Sequence, residues 1–216
     1  MTDKELHAKV LQELEFDPSF DAAHVGVTVD KNVVSLTGRV GSYAEKLAVL
    51  AAVRRVKDVC AIVEHIDVQL LNDWKTPDDQ IAKRALDMLK WNSVVSNQPI
   101  EIVVRDGWVT LSGSVNWHYE RRAAEESVHK LSGVRGVTNN IVLKPSVRAT
   151  DVKTSIESAL RRQAKVEADA IRILVIDGDK VVLEGKVASW DARRAVEDAA
   201  WSTSGVATVD DRMTIG

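Results

Sequence analysis

Apolar positions recur along this chain in three successive rounds. Each round is a helical stripe, two alternating runs, a second helical stripe and a last alternating run. Leu6, Val10, Leu11 and Leu14 fall at the i, i+4, i+5, i+8 spacing that gives a helix one apolar face, and Ile81, Ala85, Leu86 and Leu89 repeat it. Val152, Ile156, Ala159 and Leu160 form a weaker third stripe. Thr2 with Glu5 reads as a capping box, and Thr76-Pro77 puts proline at the first helical position. Two strands follow: Val25, Val27 and Val29 alternate with small or polar residues, and Val33 to Val40 supplies the partner. In the middle round Asp106-Gly107 separates the strands, a strong signal for a tight hairpin. The third round has one residue more, Asp177-Gly178-Asp179-Lys180, which suits a slightly longer loop. A second helix is predicted to bury Ala48, Val49, Ala52, Val53 and Val56, with Ala123, Ala124, Ser127, Val128 and Leu131 as counterparts. Its alanines favour helix and let the axis lie close to a sheet. Ile62 to Val68 and Val137 to Leu143 alternate as a final strand.

The rounds are copies of one unit. From Gly38, Gly113 and Gly185 onward they align without a gap through Val40, Val115 and Val187, then Ala48, Ala123 and Ala195, and on to Ile66, Ile141 and Met213. The expected class is α+β: three tandem αββαβ units, each a small three-stranded mixed sheet covered on one face by two helices, the other face free. Domain limits are expected at 1–71, 76–145 and 149–216, with linkers near Leu71 to Thr76 and Pro145 to Thr150. Units this short bury a modest share of their surface, so they are expected to pack on one another. Gly38, Gly113 and Gly185 have two readings. One is a strand that bends, or passes where a Cβ would clash; the other is a ligand approaching bare backbone.

Two stretches carry a family resemblance: Val109-Thr110-Leu111-Ser112-Gly113-Ser114-Val115, and Gly133-Val134-Arg135-Gly136-Val137-Thr138-Asn139-Asn140-Ile141. They resemble the BON domain, a family named for bacterial osmotic-shock and nodulation proteins, and the other two units carry weaker versions. The resemblance implies an αββαβ fold, no catalytic residues and no cofactor, and attachment to phospholipid surfaces. Members are commonly periplasmic or lipid-anchored. This sequence opens Met1-Thr2-Asp3-Lys4-Glu5, with no apolar export segment and no lipidated amino-terminal Cys, so as written a cytoplasmic location is expected.

Charge narrows the partners. Net charge is −3 overall, dividing as −3, +1 and −1 over residues 1–72, 73–147 and 148–216. No unit has the clustered positive charge of a nucleic-acid binder. No run approaches the roughly 18 apolar residues of a membrane span. The lone Cys60 excludes an intrachain disulfide and a cysteine zinc cage. His7, His24, His65, His118 and His129 have no metal-ligand spacing and none recurs at an equivalent position, so neither a metal nor a catalytic histidine is expected. Ser112 and Ser114 flank Gly113 but do not form a Gly-x-Ser-x-Gly elbow. Asp177 and Asp179 lack the remaining ligands of a calcium loop.

Six tryptophans against two Phe and two Tyr are the one unusual aromatic balance. Trp74, Trp91, Trp108 and Trp117 belong to the middle unit and its leading linker. Indole rings favour membrane interfaces, where an apolar body meets a polar N–H. Trp117 and Tyr119 stand at the entry to the second helix beside Arg121 and Arg122, and Trp108 follows the hairpin glycine. These five residues are the candidate lipid-binding set. The competing reading makes the tryptophans joints between units, and pairs Arg121 and Arg193 with Glu125 and Glu197 at i+4. The function expected is non-enzymatic: peripheral binding to anionic phospholipid or envelope surfaces in an osmotic stress response. The alternatives are a protein-interaction scaffold using open sheet faces, or a cytoplasmic cation-responsive stress protein.

Overall fold

The computed structural model describes residues 2–70, 76–144, 151–162 and 170–216. Trp74 and both expected linkers, apart from Thr76, lie outside the described residues. The first copy runs α1 (Asp3–Phe16), β1 (Val25–Asp30), β2 (Val33–Val40), α2 (Tyr43–Arg55) and β3 (Ala61–Val68), with a short 3-10 turn at Ala22–His24 before β1. The second runs α3 (Asp78–Trp91), β4 (Ile100–Arg105), β5 (Trp108–Val115), α4 (His118–Val128) and β6 (Gly136–Leu143). The third runs α5 (Val152–Arg161), β7 (Ile171–Ile176), β8 (Lys180–Val187), α6 (Trp190–Trp201) and β9 (Thr208–Ile215). Among the described residues no helix is long and apolar enough to cross a membrane. Contacts gather the chain into two compact units, residues 1–114 with 120–141, and residues 115–119 with 142–216.

Sheet order is the same in each copy: β1-β2-β3, β4-β5-β6 and β7-β8-β9. A two-residue turn forces β1 and β2 antiparallel, whereas β3 runs parallel to β2 because α2 carries the chain back between them. The third sheet repeats this mixed pairing. The turns use positive φ at Lys31 (48°) and Asn32 (63°), and at Asp106 (51°) and Gly107 (76°). A carboxylate on the leading helix holds each of these turns. Asp3 accepts the Lys31 and Asn32 N–H groups at 3.0 and 3.2 Å, and Asp78 accepts those of Asp106 and Gly107 at 2.8 and 2.9 Å. Bonds to a charged acceptor are the strong kind, so Asp78→Ala should destabilise the middle copy by about 2 kcal/mol, read as a lower urea midpoint at unchanged slope.

The leading helices bury one narrow row at i, i+4, i+8: Leu6, Val10 and Leu14; Ile81, Ala85 and Leu89; Val152, Ile156 and Leu160. Leu11 stays half-buried and Leu86 is exposed, so the i+5 position lies off the packed face. The central strands meet that row with Val34 and Leu36, Val109 and Leu111, Val181 and Leu183. The second helices close the core with Val49, Ala52 and Val53, with Ala124 and Val128, and with Val196, Ala199 and Ala200. The repeated glycines are structural. Gly38, Gly113 and Gly185 have φ of 134°, 123° and 140°, and pair with Val25, Ile100 and Ile171 at one register. A Cβ on them would overlap the carbonyl oxygens of His24, Pro99 and Ala170.

Each second helix is also tied to its outer strand by polar groups. Lys46 reaches Glu64 at 3.0 Å, Arg121 donates to the Asn139 carbonyl at 3.2 Å, and Arg193 meets Asp211 at 2.6 Å. The i+4 partners expected for Arg121 and Arg193 give way to partners on the strand, because both arginines point inward over the sheet. The strand residue in turn accepts an N–H two positions on: Glu64 from Ile66, Asn139 from Ile141 and Asp211 from Met213.

Candidate functional site

The sequence-selected residues occupy distinct settings. Trp108, in the first compact unit, opens β5 directly after the Asp106-Gly107 turn. Strand alternation turns it to the helix-free face, away from Val109 and Leu111, and it remains 50% exposed. Its ring lies over Gly136, where any Cβ would collide with it, and its Nε1–H donates to Thr138 Oγ1 at 2.8 Å. Hence Gly136 is required by the indole. Arg105 stands opposite Trp108 and Val103 opposite Thr110 across the β4–β5 ladder. Val103 is 58% exposed.

A cavity of about 750 Å³ is lined by Val103, Arg105, Trp108 and Arg135 together with Lys46 and Ile66 of the first copy. A neighbouring cavity of about 740 Å³ shares Asp67, Val68, Asp106 and Arg135 with it and adds Arg39. Lys46 is already neutralised by Glu64. Sequence reading missed Val103, Arg105 and Arg135. The alternation that sets 103 and 105 on the face of 108 was the available signal for the first two; Arg135 comes from a different strand end. Chemically the surface offers an aromatic plane and guanidinium groups. The Asp67 and Asp106 carboxylates line it as well, so its charge is mixed around an apolar body.

Trp117 and Tyr119 lie in the second compact unit, with ring centroids 6.4 Å apart and planes at 24°. His118 turns the other way and stacks on Trp201 at 4.4 Å. Trp117 holds a telling position. Its equivalents Ser42 and Ser189 cap their helices, accepting the N–H of Glu45 at 3.2 Å and of Ala192 at 3.1 Å. An indole has no oxygen to offer in that role, and the middle copy sets a partly exposed ring at this position instead. Arg121 is engaged with β6: its guanidinium donates to the Asn139 carbonyl at 3.2 Å, and the Asn139 Nδ2 donates back to the Arg121 carbonyl at 3.0 Å. Arg122 is exposed and meets Glu126 at 3.4 Å.

Other ionisable groups are set by burial. Desolvation lowers the His129 pKa, and burial with the nearby Glu125 charge raises that of the Tyr43 phenol. Among the described residues Glu120 is the buried charged one, and it accepts from Gln98 at 3.0 Å. Among the described residues no group of three His, Cys, Asp or Glu side chains is placed to hold a metal ion.

The profile of the BON domain matches residues 2–69, 77–145 and 148–216. The osmotically-inducible protein Y of Escherichia coli (strain K12) is 25% identical over 153 residues, spanning 67% of this chain and 74% of that protein. Two solved structures of CdsD, a structural protein of the type III secretion system of Chlamydia trachomatis, cover 98% and 100% of this chain and 92% and 98% of theirs. Their identities are 15% and 14% and the TM-score is 0.27 for both, a likeness too slight to build on.

Proposed function

Since this chain belongs to the BON-domain family, carrying the domain three times, we propose that it is a non-enzymatic stress-response module that adheres peripherally to anionic phospholipid. The observation that carries this reading is Trp117 in a helix-capping position where both other copies keep serine. A local preference kept in two copies and set aside in the third points to a residue retained for something other than folding. Tyr119 lies against that ring, 59% exposed, and Arg122 follows on the same helix. Trp108, with Val103 and Arg105, supplies a second aromatic and basic surface on an open sheet face. Indoles settle where water meets acyl chain, and each basic group near an anionic surface adds about 1 kcal/mol. The chain's net charge of −3 opposes attachment only weakly, because charges more than a Debye length from the surface are screened.

Co-sedimentation with vesicles tests this directly. Phosphatidylglycerol-containing vesicles should pellet the chain at low salt, release it as salt rises, and blue-shift its tryptophan emission. Vesicles of phosphatidylcholine alone should do neither. Trp117→Ser installs the residue of the other copies, so it should weaken pelleting severalfold while the melting transition holds; Trp190→Ala should leave pelleting nearly intact. Absence of binding to anionic vesicles at low salt discards the lipid reading and leaves the open sheet face to a protein partner.

A further inference from the structure

The helix-to-strand tie differs among the copies in one chemically decisive way. In the first copy Lys46 faces Glu64, and the position one turn after Lys46 is the apolar Leu50. In the second copy that position is Glu125 and the strand position is Asn139, whose Nδ2 donates to Glu125 Oε2 at 3.1 Å. An amide brings its own donor, so a charged Glu125 is satisfied. The third copy keeps the acid, as Glu197, and replaces the amide with Asp211. Asp211 Oδ2 accepts from Arg193 Nε at 2.6 Å and Oδ1 accepts the Met213 N–H at 2.8 Å. Glu197 holds the place from which Glu125 meets Asn139 in the second copy, and makes side-chain hydrogen-bond contact with Asp211. Two carboxyl groups in hydrogen-bond contact need a proton between them, and one guanidinium cannot neutralise both.

We propose that Glu197 and Asp211 hold one proton between them, making the contact of α6 with β9 a proton-operated latch that is closed while the proton is bound and strained once it leaves. The surrounding groups agree on where the proton sits. Burial, the bond to Asp211 and its charge push the Glu197 carboxyl from 4.5 up to about 7, with Asp198 adding to the push and Arg193 opposing it. For Asp211 burial works upward, but the bonds with Glu197, the Met213 N–H and Arg193 outweigh it and hold the carboxyl low. Both fixed donors, Arg193 Nε and the Met213 N–H, aim at Asp211, so the charge belongs on Asp211 and the shared proton on the Glu197 side. The remaining charges of β9 and β8 look to the opposite sheet face, where Arg212 pairs with Asp210 at 2.9 Å and Glu184 at 3.6 Å. On α6 itself Asp191 and Arg194 are exposed.

The direction of the pH effect follows. An unfolded chain releases the Glu197 proton near 4.5, so between that value and about 7 the folded copy binds more protons than the unfolded one. Stability of the third copy falls as pH rises through this window, and the penalty is complete above it. Deprotonation leaves the Arg193–Asp211 pair in place with a second negative charge beside it, which loosens the helix from the strand.

The test uses the full chain with carbon-13 carboxyl-labelled glutamate. The Glu197 signal should titrate near pH 7, and in Asp211→Asn, which copies the arrangement of the second unit, its midpoint should return toward 4.5. Amides of Thr208–Ile215 should lose protection between pH 5.5 and 8 relative to their intrinsic exchange, and Glu197→Gln should abolish that loss. A wild-type Glu197 midpoint near 4.5, or a Glu197→Gln chain with the wild-type pH dependence of protection, overturns the proposal.

Discussion

Replacing Gly113 with alanine should cost the middle copy about 3 kcal/mol or more. The residue sits at φ 123°, a region side chains rarely enter, and its new Cβ would lie on the Pro99 carbonyl. Relief would need β4 to move away from β5, yet Gly113 is paired with Ile100 in a continuous ladder from Ile100 to Arg105. Gly38 and Gly185 meet the same obstruction at the same register, so the equivalent substitutions should behave alike. Gly178 is the control. It also has positive φ, 84°, but open space where a Cβ would go, so alanine there should cost only about 1 kcal/mol. Urea unfolding of the intact chain measures both, with Trp108 and Trp117 reporting on the middle copy and Trp190 and Trp201 on the third. Equal losses at Gly113 and Gly178 would show that conformational preference alone explains the repeated glycine.

Truncating Leu111 to alanine should remove about 3 kcal/mol, the usual cost of emptying a filled core position. Leu111 is fully buried in the central strand, as are its equivalents Leu36 and Leu183. The strand is flanked on both sides and covered by α3 and α4, so little can collapse into the void. A unit of roughly 70 residues holds only a few kcal/mol of stability, so the loss should leave the middle copy partly unfolded at room temperature. Leu86→Ala, on an exposed face of α3, should change the urea midpoint little. A Leu111→Ala protein that unfolds at the wild-type urea concentration would place the core elsewhere.

The repeat made the architecture readable, because three versions of one pattern expose which positions matter. Val34 and Leu36, Val109 and Leu111, and Val181 and Leu183 fill one structural role, and alternation alone finds them. Strand order was not readable. Nothing in the run Ile62 to Val68 says that it pairs with β2 in parallel; that follows from where α2 delivers the chain. Among the candidate site residues, the exposure of Trp108 follows from its place opposite a core position. The role of Arg121 does not, since the inward turn of its guanidinium depends on Asn139, 18 residues away. The proton pair was hidden for the same reason. Glu197 and Asp211 are 14 positions apart, and only the fold sets one over the other. Trp117 was visible as an aromatic, but its significance required seeing that serine caps the other two helices.

The outermost strand of each sheet has an N–H already taken by its own chain: Ile66 by Glu64, Ile141 by Asn139, Met213 by Asp211. On the opposite border of the first sheet, the Val27 carbonyl is covered by His7 at 3.1 Å. A stray extended segment from another molecule therefore finds these borders missing a donor or an acceptor it would need to zip alongside. Small open sheets crowded three to a chain invite amyloid-like stacking. Here the defence against it is a single polar residue recurring at one strand position, with glutamate, asparagine and aspartate serving in turn.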